Sequence, residues 1–303
     1  MDARLPGQRR GGGPPKLNDA AGTTDSVGLA LLKPDTSGAF TYQSFGRSLF
    51  LDLLRRNDPE STVVVSPTSA GLALSMVYVG ARDATAQAMS HVLGADGQAH
   101  DVFASRNRVL LQRLNGRTDV TLEISNASWV TERLKVLPRF RQTVADDYRA
   151  TFAQVKLPSG KARDEINTWA KRVSHGKIPS ILADSLPDTT VMFVASAVYF
   201  KGKWLAQFQK SATRERPFHL VSGGTTPMQG MERTGRYAYR RFPGYEMLRI
   251  PHRAGKTAMY VLLPTDGTNM HHRGSCREFR RTSRRRSQQA NVSRHAFDRS
   301  PSP

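Results

Sequence analysis

The sequence predicts an α+β fold, and three observations carry that prediction. Segments with apolar residues at helical spacing come first, between residues 40 and 114, and strand-like segments dominate from residue 190 to residue 264. The helices and strands do not alternate as they do in a βαβ protein, and no internal repeat is visible. Hydrophobic residues make up 38% of the 303 residues, which is enough to bury a core in one large domain or two ordinary ones.

The first predicted elements are a helix and a short strand. The helix covers about residues 40–56, because apolar side chains recur at helical spacing and two arginines close the last turn. The residues of this apolar stripe are Tyr42, Phe45, Leu49 and Leu53. The β-branched run at 62–65 predicts a buried strand directly after the helix.

A second helix, over residues 68–79, has clear start and stop signals. Ser66 can cap its first turn, and Pro67 is tolerated there because a proline lacks only an N–H that would be unpaired anyway. Gly80 ends the helix. Since this helix is apolar almost all round, we expect it to be buried.

The remaining elements follow from the same periodicities. The predicted helices cover 84–93, 101–114, 139–148 and 164–173, and the predicted strands cover 120–131, 152–157, 190–200, 236–242, 246–250 and 258–263. The strand at 190–200 carries no charge and is apolar at almost every position, which indicates a strand buried on both faces.

The two ends of the chain differ in composition from the part between them. Residues 1–38 are rich in Gly and Pro, and residues 269–303 are rich in Arg and Ser, so we expect both to be disordered around a domain at 39–268. The net charge of +20 is densest in the tail, where 271–303 hold nine arginines against two acids. No signal peptide and no membrane-spanning run is visible, so no membrane contact is expected.

Six segments in a fixed order carry a family resemblance. They are SPTSAGLALSMVYVGARDATAQAMSHVLG (66–94), ISNASWV (124–130), INTWAKRVSHGKI (166–178), ASAVYFKGKWLAQF (195–208), the set Thr213, Pro217, Phe218, His219, Pro227 and Met228, and LRIPHRAGKTAMYVLLP (248–264). Together they make the chain resemble the serpin family of serine protease inhibitors from about Phe40 to Pro264. The resemblance implies one α+β domain with a large central mixed β-sheet, two smaller sheets and surrounding helices.

The resemblance also implies a function that needs no catalytic residue of this chain. In a serpin, a serine (or cysteine) endopeptidase cleaves an exposed reactive loop, which then inserts as a new strand into the large sheet. The implied protein is therefore an extracellular inhibitor, with an endopeptidase as partner, and not an enzyme. No reactive loop is recognisable after Pro264, and Arg- and Ser-rich sequence stands in its place from about Met270, so we expect a truncated or frameshifted chain that is inactive as written.

Four positions correspond to functional positions of the family, and three of them carry the family's residue. Ser66 and Ser69 match the serines where the large sheet opens, and for Ser66 simple helix capping is the alternative. Trp204 matches the tryptophan where the loop first enters the sheet, and a packed core aromatic is the alternative. Ser196 stands where the family usually has Asn. Because a hydroxyl donates one hydrogen bond and an amide two, the resemblance predicts an altered hinge network.

A basic stripe suggests a second kind of site. Arg106, Arg113 and, if the helix continues, Arg117 fall on one face at helical periodicity, where they could bind a polyanion such as a sulfated polysaccharide. A solvated helix face is the alternative. No histidines have metal-ligand spacing, and no cofactor motif is present, so we expect no metal and no cofactor.

Two rival functions remain at this point. The net charge of +20 and the RRTSRRR run at 280–286 are typical of a protein that binds polyanions or nucleic acid. No motif that reads a nucleic-acid sequence is present, so no specific nucleic acid is expected. The other rival is a truncated gene product without an activity.

Overall fold

The computed structural model describes residues 42–58, 60–220 and 223–264, and the backbone of residues 288–292. The predicted leader at 1–38 lies outside the described residues, and so does the tail apart from 288–292. Within the described ranges, no helix is long and apolar enough to cross a membrane.

The described part of the chain contains six α-helices, nine strands and one short 3-10 helix at Lys210–Ala212. The helices are α1 (Gln43–Arg56), α2 (Pro67–Tyr78), α3 (Asp83–Leu93), α4 (His100–Asn115), α5 (Pro138–Tyr148) and α6 (Gly160–Val173). The strands are β1 (Thr121–Thr131), β2 (Thr151–Val155), β3 (Met192–Lys201), β4 (Arg214–His219), β5 (Thr225–Gly230), β6 (Gly235–Phe242), β7 (Tyr245–Pro251), β8 (Ala258–Pro264) and β9 (Gln288–Val292).

The strands form three sheets, which confirms the predicted α+β class. The mixed sheet has the order β2-β1-β3, with β1 parallel to β2 and antiparallel to β3. A two-stranded sheet pairs β4 with β5, and a four-stranded antiparallel sheet has the order β8-β7-β6-β9.

Two predicted segments differ from the structure. Residues 62–65 are not a strand, and Val64 is 87% exposed. A β-branched run becomes a strand only when a neighbour completes its backbone hydrogen bonds, and no described strand pairs with this one. The opposite holds for Gln288–Val292 in the Arg- and Ser-rich tail, which pairs with Gly235–Tyr239. The sequence analysis expected disorder at these residues, because they show no strand-like alternation of apolar side chains. Pairing at a sheet edge uses backbone groups and does not require that alternation.

The core lies on both faces of the mixed sheet. One face packs on α2, α4 and α5, around fully buried Leu72, Met76, Phe103 and Val144. The other face packs on α6, where Trp129 and Trp169 meet edge to face at 5.5 Å. Successive residues of β3 point to opposite faces, so Val194 packs on the first side and Phe193 on the second.

Strand β3 is apolar on both faces as predicted, but it is half-buried rather than buried over most of its length. The reason is its position, since within the described part of the chain it has a neighbouring strand on one side only. This edge runs along the region where the sequence places its candidate functional residues.

Candidate functional site at the third strand

Ser66 is the N-cap of α2. Its hydroxyl oxygen accepts a hydrogen bond from the Ser69 backbone N–H at 3.3 Å, and Pro67 occupies the first helical turn. This is the arrangement that the capping alternative predicts. A further role for Ser66 as a hinge residue stays a prediction.

Ser69 connects α2 to the mixed sheet. Its hydroxyl donates a hydrogen bond to the backbone carbonyl oxygen of Ser196 in β3, at 2.9 Å and across 127 residues of sequence. The structure therefore brings together two of the predicted hinge residues, Ser69 and Ser196. The bond fixes the distance between the start of the helix and the middle of the strand.

The hydroxyl of Ser196 itself is buried and has no hydrogen-bond partner within the described residues. Asn126 lies opposite it in the register of β1 and β3. The Asn126 amide donates to the Tyr148 carbonyl oxygen at 2.8 Å, while its Oδ1, like the hydroxyl of fully buried Ser128, has no partner in the described ranges. Three polar side chains thus line one face of the sheet with unused hydrogen-bonding capacity.

Asn126 and Ser128 were not among the predicted site residues, although their spacing in the sequence indicates a shared position on the buried face. In ISNASWV both polar residues sit two apart in an otherwise apolar strand, so alternation sends them to the same face. A polar pair on the buried face of a strand costs free energy unless it is hydrogen-bonded, and such a pair therefore marks a functional or strained position.

A buried polar network lies among the helices that pack on this face of the sheet. Tyr42 Oη donates to Asn107 Oδ1 at 2.6 Å and lies 2.6 Å from the Ser75 hydroxyl, while Asn107 Nδ2 donates to the Tyr148 Oη at 3.3 Å. Burial raises the pKa of Tyr42 and of Tyr148 well above the ordinary value, so both phenols remain protonated donors. The network ties α1, α2, α4 and α5 together beneath β1.

The second part of the site lies around the end of β3 and consists of Trp204, His252, Phe200 and Gly202, and we call it the insertion corner. The Trp204 and His252 rings are stacked, with centroids 4.4 Å apart and planes 11° apart, and Phe200 meets His252 edge to face at 5.2 Å. A Cβ on Gly202 would come within 2.7 Å of His252 Nδ1, so only glycine fits there.

Trp204 is half-buried, and its surroundings differ from those of a core aromatic. The segment around it is bound to the β7–β8 turn through the backbone: Leu205 N–H donates to the Pro251 carbonyl oxygen at 2.9 Å, and Arg253 N–H donates to the Lys203 carbonyl oxygen at 2.7 Å. Trp204 therefore joins the mixed sheet to the four-stranded sheet. His252, which sequence reasoning did not single out, is its direct partner.

The basic stripe is shorter than predicted. Helix α4 ends at Asn115, and Arg117 lies beyond it, where it donates to Asp119 Oδ2 at 2.8 Å and to Thr257 Oγ1 at 2.6 Å. The helix stops because the Asn115 side chain bonds both the N–H and the carbonyl oxygen of Ile124, which turns the chain into β1.

The remaining members of the stripe stay on one face of α4. Arg106 and Arg113 are exposed and two helical turns apart, and Arg106 donates to Gln98 Oε1 at 2.7 Å. Within the described ranges, no group of three His, Cys, Asp or Glu side chains could hold a metal ion.

The sequence matches one family of known proteins over most of its length. Residues 41–292 match the family model "Serpin (serine protease inhibitor)". The chain is 34% identical to the leukocyte elastase inhibitor of Bos taurus over 234 residues, which are 73% of this chain and 59% of that protein. It is 31% identical to Serpin-Z7 of Hordeum vulgare, over 69% of this chain and 56% of that one.

Solved structures show the same fold. Ovalbumin from emu (Dromaius novaehollandiae) has a TM-score of 0.72 at 23% identity, covering 88% of this chain and 72% of that one. The native stressed form of Arabidopsis AtSerpin1 has a TM-score of 0.67 at 24% identity, covering 74% and 60%.

The matched region begins at residue 41 and ends at residue 292, and the domain boundaries at 39 and 268 stay a prediction. The chain spans less than two thirds of the length of the curated relatives it matches, 59% for the bovine inhibitor. With a family match over most of the sequence, relatives above 30% identity and a shared fold, the chain belongs to the serpin family.

Proposed function

We propose that this chain descends from an inhibitor of serine endopeptidases that traps its target by inserting a cleaved loop into the mixed sheet. Family membership supports the inhibitory class, and one of its relatives is named for the inhibition of leukocyte elastase. The observation that carries the proposal is the edge of β3, which has no neighbouring strand within the described ranges. The Ser69–Ser196 bond lies at the middle of this strand and the Trp204–His252 stack lies just past its end.

The proposed mechanism assigns the covalent chemistry to the protease. The protease nucleophile attacks a carbonyl carbon of the loop and expels the amine, which leaves an ester between the two proteins. The loop then adds as a strand beside β3, whose unpaired backbone groups supply the hydrogen bonds. Trp204 marks where insertion begins, and Ser69 and Ser196 lie where the helix beneath must let the strands separate.

We also propose that the 303 residues by themselves form no stable complex with a protease, because no segment that matches the reactive loop of the family is recognisable in the sequence. Incubation with trypsin, elastase or subtilisin should give no SDS-resistant adduct on a gel. An adduct with the chain alone would contradict the proposed inactivity.

A chimera tests the inhibitory proposal directly. The C-terminal portion of the bovine leukocyte elastase inhibitor, fused after Pro264, should restore an SDS-resistant adduct with elastase. Elastase with its active-site serine blocked is the matched control and should give none. If a folded chimera is only cleaved and released, the chain lacks the sheet properties of an inhibitor, and the inactive gene product becomes the better reading.

A second candidate function is polyanion binding at α4, favoured by the exposed pair Arg106 and Arg113 on one helix face. On a heparin column, the double variant Arg106→Gln/Arg113→Gln should elute at lower salt than the parent chain. Lys171→Gln/Arg172→Gln on α6 removes the same charge elsewhere. If both variants shift equally, binding reflects net charge only.

The extracellular location implied by the family stays a prediction.

A further inference from the structure

Arg117, Asp119 and Thr257 form a closed triangle of hydrogen bonds. Arg117 Nη2 donates to Asp119 Oδ2 at 2.8 Å and to Thr257 Oγ1 at 2.6 Å, and the Thr257 hydroxyl donates to the same Asp119 oxygen at 2.6 Å. The Asp119 side chain is only 5% exposed. The triangle joins the residues just before β1 to the turn between β7 and β8, across 138 residues of sequence.

The same turn carries His252, the stacking partner of Trp204. His252 N–H donates to the Thr257 carbonyl oxygen at 2.9 Å, and Gly255 N–H donates to the His252 carbonyl oxygen at 2.9 Å. These bonds close the turn on itself, so a displacement of Thr257 displaces His252 as well. The turn is therefore held at its Thr257 end by Asp119 and at its His252 end by Trp204.

The two attachment points belong to neighbouring strands of the mixed sheet. Asp119 precedes β1, Trp204 follows β3, and Thr121 at the start of β1 pairs with Lys201 at the end of β3. The β7–β8 turn thus bridges the start of β1 and the end of β3, at one end of the mixed sheet. Any separation of this end of the sheet from the four-stranded sheet must break one attachment or both.

The triangle is stable only when it is complete. A nearly buried carboxylate that loses its partners keeps its desolvation penalty, so removing one member costs more than the pair contributes. Arg117 contacts the other two members through one nitrogen, and its Nε has no hydrogen-bond partner within the described residues. The contact is therefore specific to the positions of Asp119 and Thr257.

We propose that Arg117, Asp119 and Thr257 form a latch that positions the β7–β8 turn, and through it the Trp204–His252 stack, and so sets how readily the insertion corner opens. The three are positioning residues, since their effect on the corner passes through His252. The significance of the latch for loop insertion rests on the proposed function, but the latch itself does not.

Hydrogen exchange of the full chain tests the latch without a protease. The reporters are the amides of Leu205, His252 and Arg253, whose hydrogen bonds hold the corner together. The variant Thr257→Val, which removes the hydroxyl at nearly constant shape, should raise their exchange rates about tenfold, equivalent to about 1.4 kcal/mol of opening free energy. Exchange in α2 should not change.

Conservative rescue separates positioning from a general loss of stability. Thr257→Ser keeps the hydroxyl and should exchange as the parent chain does, while Asp119→Asn should behave like Thr257→Val. Arg163→Gln, which breaks the ion pair with Asp164 on α6, is the control and should leave the corner unchanged.

Two outcomes overturn the latch. One is parental exchange at all three reporter amides in both Thr257→Val and Asp119→Asn. The other is a uniform rise that includes α2, which would make the triangle a merely structural contact. Neither depends on inhibition, so the failure of the latch is distinguishable from a failure of the elastase chimera.

Discussion

The hydroxyl of Ser69 donates a hydrogen bond to the backbone carbonyl oxygen of Ser196, at 2.9 Å. It is a direct side-chain contact between the start of α2 and the middle of β3. A carbonyl group that accepts this bond is held against the helix. The strand cannot shift sideways there unless the bond breaks, and opening of the sheet therefore has a local cost.

The first prediction concerns this bond. Ser69→Ala should lower the free energy of unfolding by about 1 kcal/mol, the usual net value of one hydrogen bond. Urea denaturation monitored by circular dichroism measures it. Ser66→Asp is the matched control at the same helix end, since it keeps the capping acceptor and should cost less than a few tenths of a kcal/mol. Equal stability of Ser69→Ala and the parent chain would show that the bond contributes nothing.

The second prediction concerns the hydroxyl of Ser196, which is buried without a partner in the described residues. Ser196→Ala removes a desolvated polar group and should leave the unfolding free energy unchanged or raise it by about 1 kcal/mol. Ser69→Ala and Ser196→Ala each delete one hydroxyl from two residues in direct contact, and only Ser69→Ala should lower the unfolding free energy. A thermal melt that shows the two equally destabilised would contradict this and indicate an undetected partner for Ser196.

Local signals allowed the start of α2 to be predicted. Ser66 and Pro67 are read from neighbouring residues alone, and the structure places them as the cap and the first turn of the helix. The partner of Ser69 could not be predicted in the same way, because it lies 127 residues away and the contact depends on how the helix packs on the sheet. Family resemblance pointed to both residues without saying which atoms meet.

Arg117 shows that helical periodicity alone could not predict where α4 ends. Its spacing from Arg113 placed it on the basic stripe only on the condition that the helix continues, and periodicity cannot tell where a helix stops. The end of α4 is set by the bonds of Asn115 to Ile124, which exist only in the folded chain. Likewise the strand predicted at 62–65 lacks a described neighbour, and propensity alone did not form it.

The third prediction follows the charge of Asp119. The hydrogen bond from Arg117, assisted by the Thr257 hydroxyl, holds the pKa of the Asp119 carboxyl below its ordinary value of 3.8 despite its burial. A depressed pKa in the folded state means that the carboxylate stabilises the fold above pH 4 and that this contribution is lost as the pH falls through the folded pKa. Asp119→Asn should therefore be destabilised at pH 7, and the difference from the parent chain should shrink as the pH falls below 3.8.

Urea unfolding at a series of pH values measures this difference. Asp164→Asn is the control, because Asp164 forms an ion pair with Arg163 and the Asp164 side chain is 66% exposed. Such exposed pairs contribute little. A difference between Asp119→Asn and the parent that stays constant down to pH 2 would show that the carboxylate charge is not what stabilises the latch.

The last prediction concerns the edge of β3. Within the described residues, β3 has a neighbouring strand on one side only, and it carries no charge from Met192 to Phe200. Such an edge is a template for pairing with another chain. The net charge of +20 opposes association, but charges are screened beyond about 10 Å at 0.1 M salt, and strand pairing acts at shorter range. We therefore expect oligomers of the 303-residue chain in size-exclusion chromatography at physiological salt.

Val191→Lys places a charge at the start of this edge, where Val191 is 55% exposed, and should shift the chain toward the monomer. Val109→Lys adds the same charge at a 60% exposed position of α4 and should not. A monodisperse monomer of the unmodified chain, or an equal shift by both lysines, would mean that the edge of β3 is already covered or that net charge alone controls association.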